Sequence, residues 1–257
     1  MVLYGINVIR EALRSSRCQL REVLAAERGG VQGLTDLLST ALSHGVTVRR
    51  VDRAMLDSLT GNAPHQGVAG LLDHFPYADL ATILTGNTGT PLLLIVDGIQ
   101  DPRNLGALIR SADACGVWGV VIPKDRAAGV SPVVAKSSAG ALFHVPVMRA
   151  TNLHRVLVQL KRQGLWIIGT AAGVPADLYQ HDLTVPLAVV IGSEATGLRR
   201  LIRDTCDFVV SLPMRGAVTS LNASVAGAVV LYEVMRQRSI LTPKQGTRPG
   251  RRPVREA

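Results

Sequence analysis

Beyond Pro91 the sequence alternates between short, continuous runs of aliphatic residues and longer amphipathic stretches, and this alternation is the feature that most constrains the fold. A continuous Val/Ile/Leu run suits a strand that is buried on both faces of a parallel sheet. Strands that alternate with helices along the chain define an α/β domain. The predicted strands are Leu92–Val96, Val117–Ile122, Trp166–Thr170, Leu187–Ile191 and Phe208–Leu212, and the predicted helices cover about 104–115, 151–163, 197–204 and 220–237.

The rest of the chain divides into three further regions. Residues 1–75 predict a smaller α/β unit, residues 76–90 are turn-rich and predict a linker, and residues 91–240 form the larger domain. The segment 241–257 is rich in Pro, Gly and Arg and predicts a basic, disordered tail. In the small unit the predicted helices are Gly5–Arg14, Leu34–Ser43 and Ala54–Leu59, and the predicted strands are Val23–Ala26, Val46–Val51 and Val68–Leu72.

The net charge of +9 over 257 residues favours a polyanionic partner, but the charge is unevenly placed. Residues 236–257 hold seven basic side chains and one acidic side chain, so the preceding part of the chain carries a much smaller excess. A tail of this kind can add affinity for nucleic acid that falls with salt. It can equally serve solubility, and both interpretations stay open.

Several classes of protein are disfavoured by the sequence. The longest apolar runs are strand-sized and far shorter than the roughly 20 residues of a membrane-spanning helix. Charged residues interrupt the N-terminal segment, so we expect no signal peptide and no membrane partner. Cys18, Cys115 and Cys206 lie far apart without zinc spacing, which predicts no metal site and suits the reducing cytoplasm.

The first of three candidate loops runs from Asp97 to Arg110, between a predicted buried strand and a helix. Pro102 and Asn104 are typical of the beginning of a helix, and Gly106 permits a close approach. Helical spacing places Arg110 away from the buried face of that helix. By itself, this arginine could simply be solvated.

The other two loops also follow predicted strands. In residues 190–198, Glu194 lies between two glycines, and it could either take part in a site or stabilise a helix N-terminus. In residues 212–225, Ser220 is predicted to cap the long last helix, and Asn222 is an amide early in that helix. Loops at the C-terminal ends of parallel strands are where α/β proteins bind ligands. The glycine-rich nucleotide motifs are missing, which disfavours a Rossmann-type dehydrogenase or methyltransferase.

Taken together, these loops resemble the three signature motifs of the SpoU family, the 2′-O-methyltransferase branch of the SPOUT superfamily. The matching segments, in chain order, are DPRNLGALIRSADACG, IGSEATGL and LPMRGAVTSLNASVAGA. SSAGALFHVPV at 137–147 resembles the family's intervening segment. LYGINVIREAL near the start and HQGVAG at 65–70 resemble the substrate-binding domain of enzymes that methylate large-subunit ribosomal RNA. The resemblance extends to about residue 237.

The resemblance implies an enzyme that uses S-adenosylmethionine to methylate a ribose 2′-hydroxyl of RNA, above all a guanosine of 23S ribosomal RNA. It implies a trefoil knot in the chain beyond about residue 187, a homodimer, and an N-terminal domain similar in fold to ribosomal protein L30e. The same chemistry on transfer RNA or on another ribosomal site remains an alternative. So does a non-catalytic RNA-binding assembly factor on the same fold.

The family motifs also imply roles for particular residues. Because a guanidinium hardly ever loses its proton, we expect Arg110 to act electrostatically on a phosphate or on the developing alkoxide. Arginines of the small unit could bind RNA phosphates or could simply be solvated, and both interpretations stay open. The implied catalytic residues are Arg110, Asn104, Glu194, Asn222 and Ser220; the implied cofactor-binding residues are Gly192, Leu212, Leu221, Met214 and Gly197; the arginines are Arg14, Arg17, Arg21, Arg49, Arg50 and Arg53.

Overall fold

The computed structural model describes residues 1–27 and 32–241 and contains two sheets. The predicted tail beyond residue 241 lies outside the described residues. The four-stranded sheet has the order β1-β4-β2-β3, and the six-stranded sheet has the order β10-β8-β9-β5-β6-β7. The strands are β1 Val2–Tyr4, β2 Glu22–Ala26, β3 Thr47–Val51, β4 Val68–Leu71, β5 Leu92–Asp97, β6 Gly119–Pro123, β7 Val147–Ala150, β8 Trp166–Thr170, β9 Leu187–Gly192 and β10 Phe208–Val210.

Helices cover both sheets, as alternation along the chain predicts. Short 3₁₀ turns at Ala141–Phe143 and Leu178–Gln180 supplement them. Among the described residues, no helix is both long enough and apolar enough to cross a bilayer. The α-helices are α1 Ile6–Arg14, α2 Leu34–Ser43, α3 Arg53–Thr60, α4 Leu80–Thr85, α5 Pro102–Ala114, α6 Pro132–Ser137, α7 Leu153–Arg162, α8 Arg200–Thr205 and α9 Ala223–Leu241.

The small N-terminal sheet is mixed. Strands β2 and β3 are parallel, whereas β4 pairs antiparallel with both β1 and β2. Helix α1 buries Ile6, Ile9 and Leu13 on one face, which confirms the predicted periodicity. Strand β1 was not predicted, because three residues are too few to establish a period.

The predicted linker contains a helix that the sequence pattern did not predict. The Asp79 carboxylate caps α4 by accepting a hydrogen bond from the Thr82 amide at 2.7 Å. Leu80 and Ile83 are buried against the larger sheet. Two buried residues in a helix of six are too few to form a recognisable period, and for that reason the sequence pattern did not predict this helix. The expectation of an irregular segment was wrong here.

The larger sheet is parallel throughout, and this confirms the predicted α/β class. Every residue of β5 and β9 is buried, as continuous aliphatic runs require. Strand β7 was not predicted, because its residues vary in exposure at the edge of the sheet. The strand predicted from Val117 begins two residues later, at Gly119.

The order of the strands decides which loops can meet. Strand β9 lies between β8 and β5, and its last residue, Gly192, is paired in register with Asp97 at the end of β5. The loops that follow these strands therefore leave the same edge of the sheet side by side. This edge of a parallel sheet is where ligands bind.

The four predicted helices of the larger domain begin two or three residues away from the predicted positions, as α7 does at Leu153. Helix α5 begins at Pro102, capped by Asp101, and α8 begins at Arg200. Helix α9 begins at Ala223, and the amide oxygen of Asn222 accepts from the backbone N–H of Ser224 at 2.9 Å. The prediction that Ser220 caps this helix was therefore wrong, because an asparagine two residues later fills that position.

The two units share a packed interface. The Ser15 hydroxyl donates a buried hydrogen bond of 2.6 Å to the carbonyl oxygen of Phe143. Nearby, His144 Nε2 lies 2.9 Å from a carboxylate oxygen of Glu11. Helix α1 and the 3₁₀ turn at Ala141–Phe143 thus fasten the small unit to the larger domain.

Candidate active site

A cavity of about 200 Å³ opens at the C-terminal ends of β8, β9 and β10. Its walls are largely aliphatic and backbone, with Leu178, Ile191 and Val230 among the lining residues. Segments from three separate parts of the chain form it. All five residues that the family motifs imply for the cofactor line this one cavity: Gly192, Gly197, Leu212, Met214 and Leu221.

The glycines of the second loop allow a tight turn at the cavity wall. Ser193 and Gly197 exchange two backbone hydrogen bonds of 3.1 and 2.9 Å, and Gly197 has a φ of 63°. A side chain at Gly192 would place its Cβ 2.5 Å from the Leu198 nitrogen. Real Cβ atoms essentially never approach so closely, so the turn can fold against the strand end only when residue 192 is glycine.

A cluster of polar side chains joins all three loops beside this cavity. The Asn104 amide donates to the Glu194 carboxylate, and the Asn222 amide donates to the Asn104 side-chain oxygen at 3.1 Å. These contacts connect residues that are 90 and 118 positions apart in sequence. Asn104, Glu194 and Asn222 therefore converge, as the family motifs imply, and each fixes the orientation of the next.

One member of this cluster was not predicted from the sequence. The hydroxyl of Ser224 lies 2.6 Å from the side-chain oxygen of Asn222 and 3.3 Å from that of Asn104. A serine in the first turn of a helix is common, so Ser224 by itself does not indicate a site. Its position two residues after Asn222 is the local signal that could have identified it. Ser220, by contrast, lines the cavity and is exposed.

Arg110 stands apart from the other predicted catalytic residues. It is exposed on α5, whereas Leu108 and Ile109 are fully buried, so the predicted helical face is confirmed. Within residues 1–27 and 32–241 the Arg110 side chain has no hydrogen-bond or ion-pair partner. It does not line the cavity of its own chain.

The N-terminal arginines do not form one uniform patch. The side chains of Arg14, Arg21 and Arg49 pair with carboxylates of their own unit, at Glu11, Asp73 and Glu22. Arg50 donates to a backbone carbonyl at 3.0 Å, and hydrogen bonding by Arg49 lowers the pKa of the Glu22 carboxyl. In the part of the chain that the structure describes, the side chains available for another partner are those of Arg17 and Arg53.

The described residues offer few other groups suited to metal binding or nucleophilic catalysis. Among the described residues, no group of three or more His, Cys, Asp or Glu side chains is arranged to hold a metal ion. The three cysteines are free and half-buried, and burial raises the pKa of the Cys18 and Cys115 thiols to about 11. Such thiols are poor nucleophiles, because the thiolate is the reactive form.

A parallel α/β domain with a cavity at its strand ends and an amide–carboxylate cluster beside it has the form of an enzyme that binds a small molecule. The model of the SpoU rRNA methylase family matches residues 91–232, and the model of an RNA 2′-O ribose methyltransferase substrate-binding domain matches residues 2–78. The chain belongs to the SpoU rRNA methylase family. It is an RNA methyltransferase of the SpoU/TrmH type.

Individual relatives agree with this membership. A protein of Staphylococcus haemolyticus named for the TrmH family of tRNA/rRNA methyltransferases is 42% identical over 241 residues, covering 93% of this chain and 96% of its own. The SpoU methyltransferase AviRb of Streptomyces viridochromogenes, crystallised with the cofactor AdoMet, is 29% identical with a TM-score of 0.80, covering 93% and 91% of the two chains. A crystal structure of an RNA 2′-O ribose methyltransferase is 28% identical with a TM-score of 0.76, covering 93% and 89%.

Proposed function

We propose that this protein transfers a methyl group from S-adenosylmethionine to a ribose 2′-hydroxyl of RNA, with a guanosine of 23S ribosomal RNA as its target. The observation that carries the proposal is the convergence of Asn104, Glu194 and Asn222 beside a cavity at the strand ends. Three loops from distant parts of the sequence supply these side chains. A structural role alone would not require such an exposed polar network between loops.

The cavity fits the cofactor chemically. When bound, S-adenosylmethionine supplies a methyl group carried on a positively charged sulfur. The aliphatic walls at Leu178, Ile191 and Leu212 suit apolar parts of such a ligand, and backbone groups near Gly192 suit its polar edges. The carboxylate of Glu194 also lines the cavity and favours a cation there. The relative crystallised with AdoMet supports this assignment.

The polar cluster would position the RNA ribose. Glu194 holds the Asn104 amide, and Asn222 holds the oxygen of that amide, so the remaining hydrogen-bonding groups point in fixed directions. Holding two reactants in the right geometry can lower a barrier by several kcal/mol, up to ~7–11 in favourable cases. Ser220 at the cavity mouth would contact the same ligands.

Arg110 would bind the phosphate next to the target ribose or the developing alkoxide. A guanidinium stabilises negative charge well and is a poor base, so the phosphate or a water molecule would take the proton. This arginine lies outside the cavity of its own chain, and we therefore propose that the active form is a homodimer with the site near the subunit interface. Exposed apolar side chains close to the cavity suit such an interface: Val218, Leu221, Val225 and Tyr232.

Sedimentation analysis tests the dimer. A dimer at micromolar concentration is expected, and a monomer at every concentration would contradict this part of the proposal.

We further infer that the segment beyond residue 187 threads as a trefoil knot, in keeping with the family resemblance, and that the protein acts in the cytoplasm. The small unit's similarity to ribosomal protein L30e stays a prediction.

The identity of the RNA substrate is the most specific part of the proposal. The match of residues 2–78 to a substrate-binding domain supports an RNA partner, and the name of the SpoU rRNA methylase family supports ribosomal RNA. The names of similar proteins include both transfer and ribosomal RNA, so transfer RNA is the second candidate. The test is incubation with tritiated cofactor and unmodified ribosomal RNA or transfer RNA, followed by mapping of the label. A label only in transfer RNA would overturn the ribosomal assignment.

Calorimetry with S-adenosylmethionine separates the enzyme from a non-catalytic assembly factor. We expect saturable binding, because the cavity and the polar cluster are both intact. Absence of binding would favour the assembly factor.

A further inference from the structure

A buried carboxylate lies at the end of β5, where the first loop begins. Asp97 is the last residue of that strand, and its side chain has no exposed surface. Its Oδ2 accepts from the backbone N–H of Arg199 at 2.9 Å, and its Oδ1 accepts from Arg199 Nε at 2.6 Å. The same residue therefore binds Asp97 through both its backbone and its guanidinium.

These contacts close the second loop onto the sheet. Residues 193–199 connect β9 to α8 and include three residues that line the cavity, Ser193, Glu194 and Gly197. At the near end of this loop, Gly192 is paired in register with Asp97. At the far end, Arg199 returns to the carboxylate of that same Asp97. The loop is thus held at both ends by the last residue of β5.

A buried carboxylate in this place needs a reason, because burying a charge is costly unless it is well paired. Replacing a buried ion pair with apolar residues is often neutral or stabilising, so fold stability alone does not account for it. The Arg199 side chain is half-exposed, which leaves Asp97 as the desolvated partner. The Asp97–Arg199 pair fixes the distance between two loops. One follows Asp97 and leads to Asn104, and the other carries Glu194.

We propose that Asp97 is a positioning residue that holds loop 193–199 in the shape required for the cofactor cavity and for the Asn104–Glu194 contact. It does so through Arg199 and touches neither cofactor nor RNA. The inference rests on the cofactor assignment made under the proposed function. Its direct consequence for the loop can be measured without any ligand.

The chain offers a matched control in Asp207. This carboxylate precedes β10 and also binds one backbone amide and one cation, accepting from Ile167 N–H at 2.8 Å and lying 2.9 Å from Lys161 Nζ. It is at the N-terminal end of the sheet's strands, whereas the cavity is at their C-terminal ends. Asp207→Asn therefore removes a comparable charge pair without touching the loop.

The experiment compares Asp97→Asn with Asp207→Asn in the full chain by hydrogen exchange of peptides covering residues 193–199, without cofactor. We expect Asp97→Asn to lower the protection of the Gly197 amide, which donates to Ser193, by about tenfold or more, since hydrogen bonds to charged groups are strong. Asp207→Asn should leave that protection unchanged. Unchanged protection in Asp97→Asn, or equal loss in both variants, would overturn the proposal.

The second readout is the Kd for S-adenosylmethionine, measured by calorimetry below the melting temperature of each variant. Asp97→Asn should weaken binding by about tenfold or more, because a loosened loop must be ordered again on binding. Wild-type affinity in Asp97→Asn would contradict the proposal even if exchange had increased. If Asp97→Asn does not fold, Arg199→Gln is judged by the same two criteria. A wild-type chain that binds no cofactor would defeat the proposed function, and exchange alone would then decide the role of Asp97.

Discussion

The edge of the large sheet that borders the cavity and the outer surface of the small unit use polar side chains in opposite ways. Beside the cavity, Asn104, Glu194 and Asn222 bind one another across three loops that are distant in sequence. On the small unit, Arg21 binds the carboxylate of Asp73, which follows β4, and Arg49 binds that of Glu22 in β2. The first arrangement builds a site from several segments, and the second neutralises charge locally. A motif at a strand end is therefore a better guide to function than a count of basic residues.

The largest effect is expected from Asn104→Ala, which removes the centre of the three-loop network. We predict that kcat falls by about 100-fold, because small errors in the placement of reactants cost about that much. The melting temperature should change little, since the network is partly exposed. Methyl transfer to RNA and thermal unfolding are measured on the same preparation.

Asn152→Ala is the control for this prediction. Asn152 caps α7 by accepting from the Arg155 amide at 3.0 Å and lies outside the cavity. Its loss should cost about 1 kcal/mol of stability with normal turnover. If Asn104→Ala instead lost stability and activity in equal measure, Asn104 would be a structural residue.

The next effect concerns Arg110, which lies outside the polar cluster. We predict that Arg110→Lys lowers kcat by about 10-fold or more, because an ammonium cannot reproduce the planar fork of a guanidinium. Arg155→Lys, on the exposed surface of α7, should retain normal turnover. Near-normal methyl transfer by Arg110→Lys would rule out a special role for the guanidinium.

The small unit should respond more weakly and unevenly. We predict that Arg17→Gln and Arg53→Gln make the dependence of log affinity on log salt shallower, by about 0.7–0.9 for each RNA phosphate that the variant no longer binds. Arg49→Gln should change it less, because Glu22 already binds that guanidinium at 2.7 Å. Titration of RNA at several salt concentrations measures the three slopes. Equal slopes for all three variants would mean that local pairing does not decide which arginines bind RNA.

The smallest effect is a pH dependence of the Glu22–Arg49 pair. The hydrogen bond from Arg49 lowers the pKa of Glu22, so the pair stabilises the folded state above the ordinary glutamate pKa of about 4.3. That contribution is lost as the pH falls through the lowered folded-state pKa. Glu22→Gln should therefore unfold at a lower temperature than wild type at pH 6, by no more than about 2 °C for a partly exposed pair, and the difference should shrink as the pH falls below the ordinary glutamate pKa. A difference in melting temperature between Glu22→Gln and wild type that stays the same from pH 6 to pH 3 would contradict the pairing.

The sequence predicted the parallel sheet and the convergence of three loops for a physical reason. Buried strands need continuous aliphatic runs, and adjacent parallel strands release their loops at one edge, so β5 and β9 were recognisable. The sequence could not reveal that Asn222 rather than Ser220 caps α9, because both residue types are good caps. Nor could it reveal that Asp97 binds Arg199, since nothing local links residues 102 positions apart.

The central claim is that these three loops assemble a site that methylates a ribose oxygen. Its most direct test is incubation of the full chain with tritiated S-adenosylmethionine and unmodified ribosomal and transfer RNA, followed by alkaline hydrolysis. A methylated 2′ oxygen cannot attack the neighbouring phosphate, so we predict that the tritium appears in alkali-resistant dinucleotides, and that Asn104→Ala leaves them nearly unlabelled. Tritium recovered only in mononucleotides, as methylated bases, would contradict the account.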